Sequence, residues 1–136
     1  MQLTNRRVRL MGTVIDVSIY HEQPEPLLDQ VEVLLNLYNK RFSANDDSSE
    51  LMKINKAAGL HPVKVHPELF ELISLGKWHS CQPGSHLNIA IGPLIQTWRI
   101  GFSDARVPSP EEIAEKLQLI DPHLIELDEE TRSVYL

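Results

Sequence analysis

The sequence predicts an α+β fold built on a mostly antiparallel sheet. Two observations carry that reading. Strand-like segments gather towards the two ends of the chain, and helical segments follow one another between them instead of alternating with strands. There is no internal repeat and no low-complexity linker, and 136 residues are enough for one ordinary domain with a core of its own.

Residues 7–20 read as extended, in a strand pair. Thr13, Ile15, Val17 and Ile19 alternate with Val14, Asp16, Ser18 and Tyr20, which gives one apolar and one mixed face. Gly12, just before that run, is expected to mark a bulge or a close backbone approach.

Leu27, Leu28, Val31, Leu34, Leu35, Tyr38 and Phe42 recur at spacings of three and four, which predicts an amphipathic helix after Pro26. Asp47-Ser-Ser-Glu50 has the form of a capping box opening a short helix through Leu51, Ile54 and Asn55, stopped near Gly59. Pro62-Val-Lys-Val65 is a short strand. His66-Pro67-Glu68 opens another helix, with Pro at its first position and Leu69, Leu72, Ile73 and Gly76 on its packing face.

Gln82-Pro-Gly-Ser85 ends that helix. The stretch His86-Leu-Asn-Ile-Ala-Ile-Gly-Pro-Leu94 then reads as a buried extended segment carrying a structural turn at Gly92-Pro93. Ser109-Pro-Glu-Glu112 is a strong helix start, with Ile113, Leu117 and Ile120 as the buried stripe. Leu124–Leu127 and Ser133–Leu136 read as a hairpin around Asp128-Glu-Glu-Thr131. The last residue lies on the apolar face of a strand, so the chain is expected to be a fragment of a longer protein.

Composition excludes several functions. A net charge of -6 argues against a nucleic-acid face, which needs clustered Lys and Arg; the nearest cluster is Arg6-Arg7 with Arg9. One cysteine, Cys81, allows no internal disulfide and no multi-cysteine zinc site. No apolar run is long enough to span a bilayer, and the N-terminus carries neither a signal peptide nor a lipobox cysteine. A cytoplasmic location is therefore expected, the alternative being the cell envelope with an export segment removed.

The chemistry-bearing residues are sparse. None of the six histidines forms a helical pair with a third ligand, and His79-Ser-Cys81 offers too few donors for zinc. Cys81, on a helix that reads as packed, is expected to be a small buried hydrophobe. Phosphate-cradling Gly-rich loops are missing. Carboxylate pairs such as Asp46-Asp47 and Glu111-Glu112 are adjacent in sequence, so they point apart and make poor acid–base partners.

A series of short motifs says more. Met11-Gly-Thr13, Phe42-Ser43 followed by Ser49-Glu-Leu51 and Asn55, Ile91-Gly-Pro-Leu94 with Trp98, and Val107-Pro-Ser109 before a helix come in one order. That order resembles the N-terminal half of the ApbE family of FAD:protein FMN transferases, also called thiamine biosynthesis lipoproteins, from Met11 to the end of the chain. The resemblance implies a T-fold-related α+β architecture, with residues 1–136 either a single domain or the truncated N-terminal part of one. It also implies Mg²⁺-dependent flavinylation: FMN passes from FAD to a Thr or Ser of an acceptor flavoprotein, and AMP leaves.

Carried onto this sequence, the family pattern places Met11, Asn45, His86, Leu87 and Asn88 against FAD. It places no catalytic residue and no metal ligand within the chain, which would then be inactive alone. FAD and an acceptor flavoprotein are the implied partners, with a homo-oligomer possible. Three positions depart from the pattern: Asn88 stands for the family's Asp, Ala90 for its Thr, and Asn45 for a Tyr that stacks on the flavin. The alternatives are a non-catalytic flavin-binding or structural relative. For His86-Leu87-Asn88 a buried strand whose Asn bonds neighbouring backbone weighs as much as a pocket wall, since a buried Asn needs partners either way.

Overall fold

The computed structural model describes residues 1–136. Its elements in chain order are β1 (Gln2–Leu10), β2 (Thr13–His21), α1 (Pro24–Phe42), α2 (Glu50–Lys56), β3 (Val63–Lys64), α3 (Pro67–Ser80), α4 (Gly92–Trp98), α5 (Pro110–Leu117), β4 (Glu126–Asp128) and β5 (Ser133–Tyr135), with a 3-10 turn at Pro122–Leu124. The α+β class and antiparallel pairing follow the sequence expectation. The strands form two sheets, β1-β2 and β3-β5-β4, and the chain divides into two compact units, Met1–Lys56 and Ala57–Leu136.

In the first unit β1 and β2 pair from Gln2↔His21 to Leu10↔Thr13. The period-2 pattern turns Ile15, Val17 and Ile19 inward, half-buried, and Val14, Asp16 and Ser18 outward. Met11 and Gly12 form the two-residue turn with φ of 55° and 71°. Gly12 is thus a turn residue rather than a bulge, because nine-residue strands of equal length close through a tight turn whose two central residues both need positive φ.

α1 packs on both strands and buries Leu28. It begins at Pro24, three residues before the expected start at Leu27. Leu34 is exposed, lying about 120° round the helix from Leu28. Arg6 on β1 ties the hairpin to this helix, donating to Glu25 (2.7 Å), Asp29 (2.6 Å) and Glu32 (3.3 Å). Arg7 bonds Asp16 across the hairpin at 2.7 Å. Arg6 and Arg7 are therefore neutralised by acids of their own unit. The cap of α2 is Ser49 rather than Asp47: its Oγ accepts from the Met52 N–H at 3.0 Å and donates to the Ser43 carbonyl at 2.6 Å. Ser49 is fully buried, so the serine that can satisfy both groups takes the role.

In the second unit β5 is the central strand, with Val134 opposite both Val63 and Leu127. Ala57, Val65, Leu69, Ile125 and Val134 are the buried apolar residues of this unit. The sequence hairpin is present, shortened at its start because Asp121 and Pro122 wind residues 122–124 into the 3-10 turn, with Asp121 Oδ1 accepting from the His123 N–H at 2.9 Å.

α3 starts as expected, its His66 Nδ1 accepting from the Glu68 N–H at 3.2 Å. Leu72, however, stands 51% exposed. Each three-residue step turns about 60° back from Leu69, so Leu72, Leu75 and Trp78 rotate away from the buried line. Leu117 of α5 is exposed as well, while Ile113 is half-buried. The capping box of α5 forms as read: Ser109 Oγ accepts from the Glu112 N–H at 3.2 Å, and Glu112 accepts from the Ser109 N–H at 2.9 Å.

One segment differs in kind. Residues 85–91 are an irregular loop, and Gly92-Pro93 opens helix α4 instead of turning between strands. Proline's fixed φ suits the first helical turn, where its missing N–H has no intrahelical partner to lose. Thr97, buried on α4, donates to the Leu94 carbonyl at 2.7 Å, and Arg99 ends the helix in the left-handed region.

Candidate functional site

Met11 occupies the tip of the β1-β2 hairpin. A non-glycine residue at φ 55° is uncommon, and a methionine has no short polar group to offset the strain. The turn holds its side chain 44% exposed beside an open concavity of about 430 Å³ lined by Arg9, Met11, Gly12, Thr13, Val14 and Asn39.

Asn45 lies exposed in the turn between α1 and α2, its N–H donating to Ser43 Oγ at 3.2 Å. Next to it the Ser48 hydroxyl and N–H both donate to Asp46, at 2.6 and 2.9 Å, and hold that carboxyl below its usual range. These bonds build the polar turn that precedes α2.

His86, Leu87 and Asn88 are consecutive in the 85–91 loop of the second unit. His86 and Leu87 are exposed, Leu87 at 50%. Asn88 is half-buried, and its amide is engaged by backbone: Nδ2 donates to the Ile120 carbonyl and Oδ1 accepts from the Ala90 N–H, both at 2.8 Å. The loop is therefore not the buried strand expected from its apolar content. A strand would need a neighbour to pair with, and here hydrogen bonds from side chains stand in for that pairing.

Sequence reasoning did not find what lies under this loop. Ser80, the last residue of α3, donates from Oγ to the Gly76 carbonyl at 2.7 Å and accepts from the Ile89 N–H at 3.1 Å. The close packing expected at Gly76 is present, but its partner is this loop: a Cβ at Gly76 would lie 2.9 Å from Ile89 Cγ2. Cys81 caps the end of α3 and is half-buried rather than helical and fully packed.

No three His, Cys, Asp or Glu side chains stand close enough together to hold a metal ion. These residues by themselves therefore offer no ligand set for Mg²⁺. No helix is long and apolar enough to cross a membrane.

The signature of the ApbE family matches residues 11–136. A FAD:protein FMN transferase of Klebsiella pneumoniae (strain 342) is 41% identical over 127 residues, covering 93% of this chain and 40% of its own length. A FAD:protein FMN transferase of Treponema pallidum (strain Nichols) is 32% identical over 121 residues, covering 86% of this chain and 33% of its own. Among solved structures, the ApbE protein of Thermotoga maritima superposes with a TM-score of 0.91 at 22% identity, over 99% of this chain and 45% of that one. The apo form of the Pseudomonas stutzeri flavinyl transferase ApbE gives a TM-score of 0.84 at 20% identity, over 98% and 44%. At those identities the structures establish a shared fold. The chain spans less than half the length of each of these relatives.

Proposed function

The chain belongs to the ApbE family, and from that premise we propose that it forms the flavin-contacting part of an enzyme that moves FMN from FAD onto an acceptor flavoprotein. In that reaction a Thr or Ser hydroxyl of the acceptor attacks the FMN phosphorus. The bond from that phosphorus to the bridging oxygen breaks, AMP leaves, and the hydroxyl proton passes to a base. The contribution of residues 1–136 is to bind and orient FAD, the substrate, by contacts from Met11, Asn45, His86, Leu87 and Asn88. Mg²⁺ dependence belongs to the same proposal, with the ligands supplied from outside these residues.

The observation that carries the reading is the 41% identity over 93% of the chain to a FAD:protein FMN transferase. The chemistry of the exposed groups is compatible with it. An exposed thioether on a tight turn and exposed side chains on a hydrogen-bonded loop are groups that can meet a flat, polarisable ring. The test is to incubate the full-length polypeptide, whatever its extent, with FAD, Mg²⁺ and an acceptor flavoprotein, and to look for covalent FMN on the acceptor by mass spectrometry. Flavinylation is expected; an acceptor left unmodified, with FAD fluorescence unchanged by the polypeptide, overturns the proposal.

A second reading, a flavin-binding or structural relative without transfer activity, is favoured by two observations. Asn45 brings no ring to stack on the flavin, and the Asn88 amide is already engaged with Ile120 and Ala90. FAD binding without AMP release distinguishes it.

A further inference from the structure

The 85–91 loop is fastened at three consecutive residues. Asn88 bonds the Ile120 carbonyl, the Ile89 N–H donates to Ser80 Oγ, and the Ala90 N–H donates to Asn88 Oδ1. The Ile89 side chain also sits against Gly76, where there is no Cβ to displace it. These ties secure residues 88–90, while His86 and Leu87 stay exposed. We propose that Ser80 is a positioning residue for FAD, holding the His86–Asn88 segment in its binding geometry. The proposal rests on the flavin reading above. Ser80 need touch no ligand: its hydroxyl hydrogen goes to the Gly76 carbonyl, which leaves the oxygen lone pairs aimed at the Ile89 N–H. Without that acceptor the Ile89 N–H loses its hydrogen bond to α3 and only the side-chain packing on Gly76 remains, so the loop samples conformations in which the segment cannot meet the ring. Affinity then falls by the fraction of time the competent conformation is lost.

The test uses Ser80→Ala and Ser80→Thr in the full-length polypeptide, with amide hydrogen exchange and FAD fluorescence quenching as readouts. Ser80→Ala is expected to speed exchange at Ile89 about tenfold and to weaken FAD binding about tenfold, the change for a competent population near one in ten. Exchange in β3, β5 and α5 should stay as in the wild type. Ser80→Thr, which keeps the hydroxyl, is expected to restore both readouts. If Ser80→Ala loosens the loop but binds FAD as the wild type does, the positioning role is overturned and the flavin reading stands. Lower melting with unchanged affinity of the folded fraction overturns it in the same way, as the result of ordinary helix-end packing. A wild-type polypeptide that does not bind FAD overturns the flavin reading, and this proposal with it.

Discussion

The side-chain amide of Asn88 donates to the carbonyl of Ile120, 32 residues further along the chain, at 2.8 Å. With its other end accepting from the Ala90 N–H, the amide joins the 85–91 loop to the segment that follows α5. An Asn between two backbone groups is doing what a strand neighbour would otherwise do, satisfying polar atoms in a part-buried place.

That double role predicts the cost of removing it. Asn88→Leu strands the Ala90 N–H and the Ile120 carbonyl together and should lower unfolding stability by about 1–3 kcal/mol, measured by urea denaturation. Asn88→Asp, the residue the family pattern carries, keeps the acceptor for Ala90 but sets a carboxylate against the Ile120 carbonyl. It should lose stability at neutral pH and regain part of it below the ordinary carboxylate range, where a protonated oxygen can donate again. Equal stability for all three proteins would show that the amide bonds are incidental.

Gly76 and Ile89 make the second prediction. Gly76→Ala gains about 1 kcal/mol of helix propensity but drives a Cβ to 2.9 Å from Ile89 Cγ2, and overpacking of that kind costs about 1–3 kcal/mol. The net change should be a loss of about 1 kcal/mol. In an Ile89→Ala background the obstacle is gone, and the same Gly76→Ala change should become stabilising. A double-mutant cycle from chemical denaturation reads the coupling directly; a cycle that closes at zero would place Ile89 elsewhere in solution.

The fold was legible at several local signals, though not at all of them: the cap of α2 is Ser49, not Asp47. The capping box at Ser109–Glu112, the helix start at His66-Pro67 and the hairpin around residues 128–131 depend on residues a few positions apart, and all three are present. The 85–91 loop was misread because its apolar content imitates a strand. What keeps it irregular is a set of bonds to Ser80 and Ile120, distant in sequence and without a spacing rule. Gly76 did announce a close approach, but nothing in the sequence names the residue that approaches. The residues proposed to meet FAD, Met11, Asn45 and His86–Asn88, come from the family motifs alone; at Met11 the structure adds a positive φ of 55°, which no sequence signal announces.

Glu112 carries a pH dependence with a definite sign. The Arg106 guanidinium, at 2.8 and 2.9 Å, and then the Ser109 N–H hold its carboxyl at about 2, below an ordinary value of 4.5. A folded value below the unfolded one contributes stability that is fully present above pH 4.5 and is lost as pH falls towards 2. Denaturation profiles of the wild type and Glu112→Gln should therefore diverge at neutral pH and converge on acidification across that window. The gap should narrow in high salt, since both partners are exposed. Parallel profiles would mean the pair does not form in solution.

At Met11 the proposed function sets stability against binding. A two-residue hairpin turn with positive φ at both positions favours Asn-Gly, and this chain places Met before Gly12. Left-handed backbone costs an ordinary side chain about 1–2 kcal/mol, and Asn recovers part of that through local hydrogen bonds. Met11→Asn should therefore raise unfolding stability, by about 1 kcal/mol or less, with β1 and β2 unchanged in register. Under the proposed function the same change removes a thioether from the flavin face, a contact worth about 0.3–1.5 kcal/mol, so FAD affinity should fall by roughly two- to tenfold. Urea denaturation and flavin titration on one variant give both numbers. A more stable protein that binds FAD as well as the wild type would leave the strain at Met11 without the flavin as its reason. A less stable one would show that the side chain packs locally and that the turn tolerates its strain for that contact.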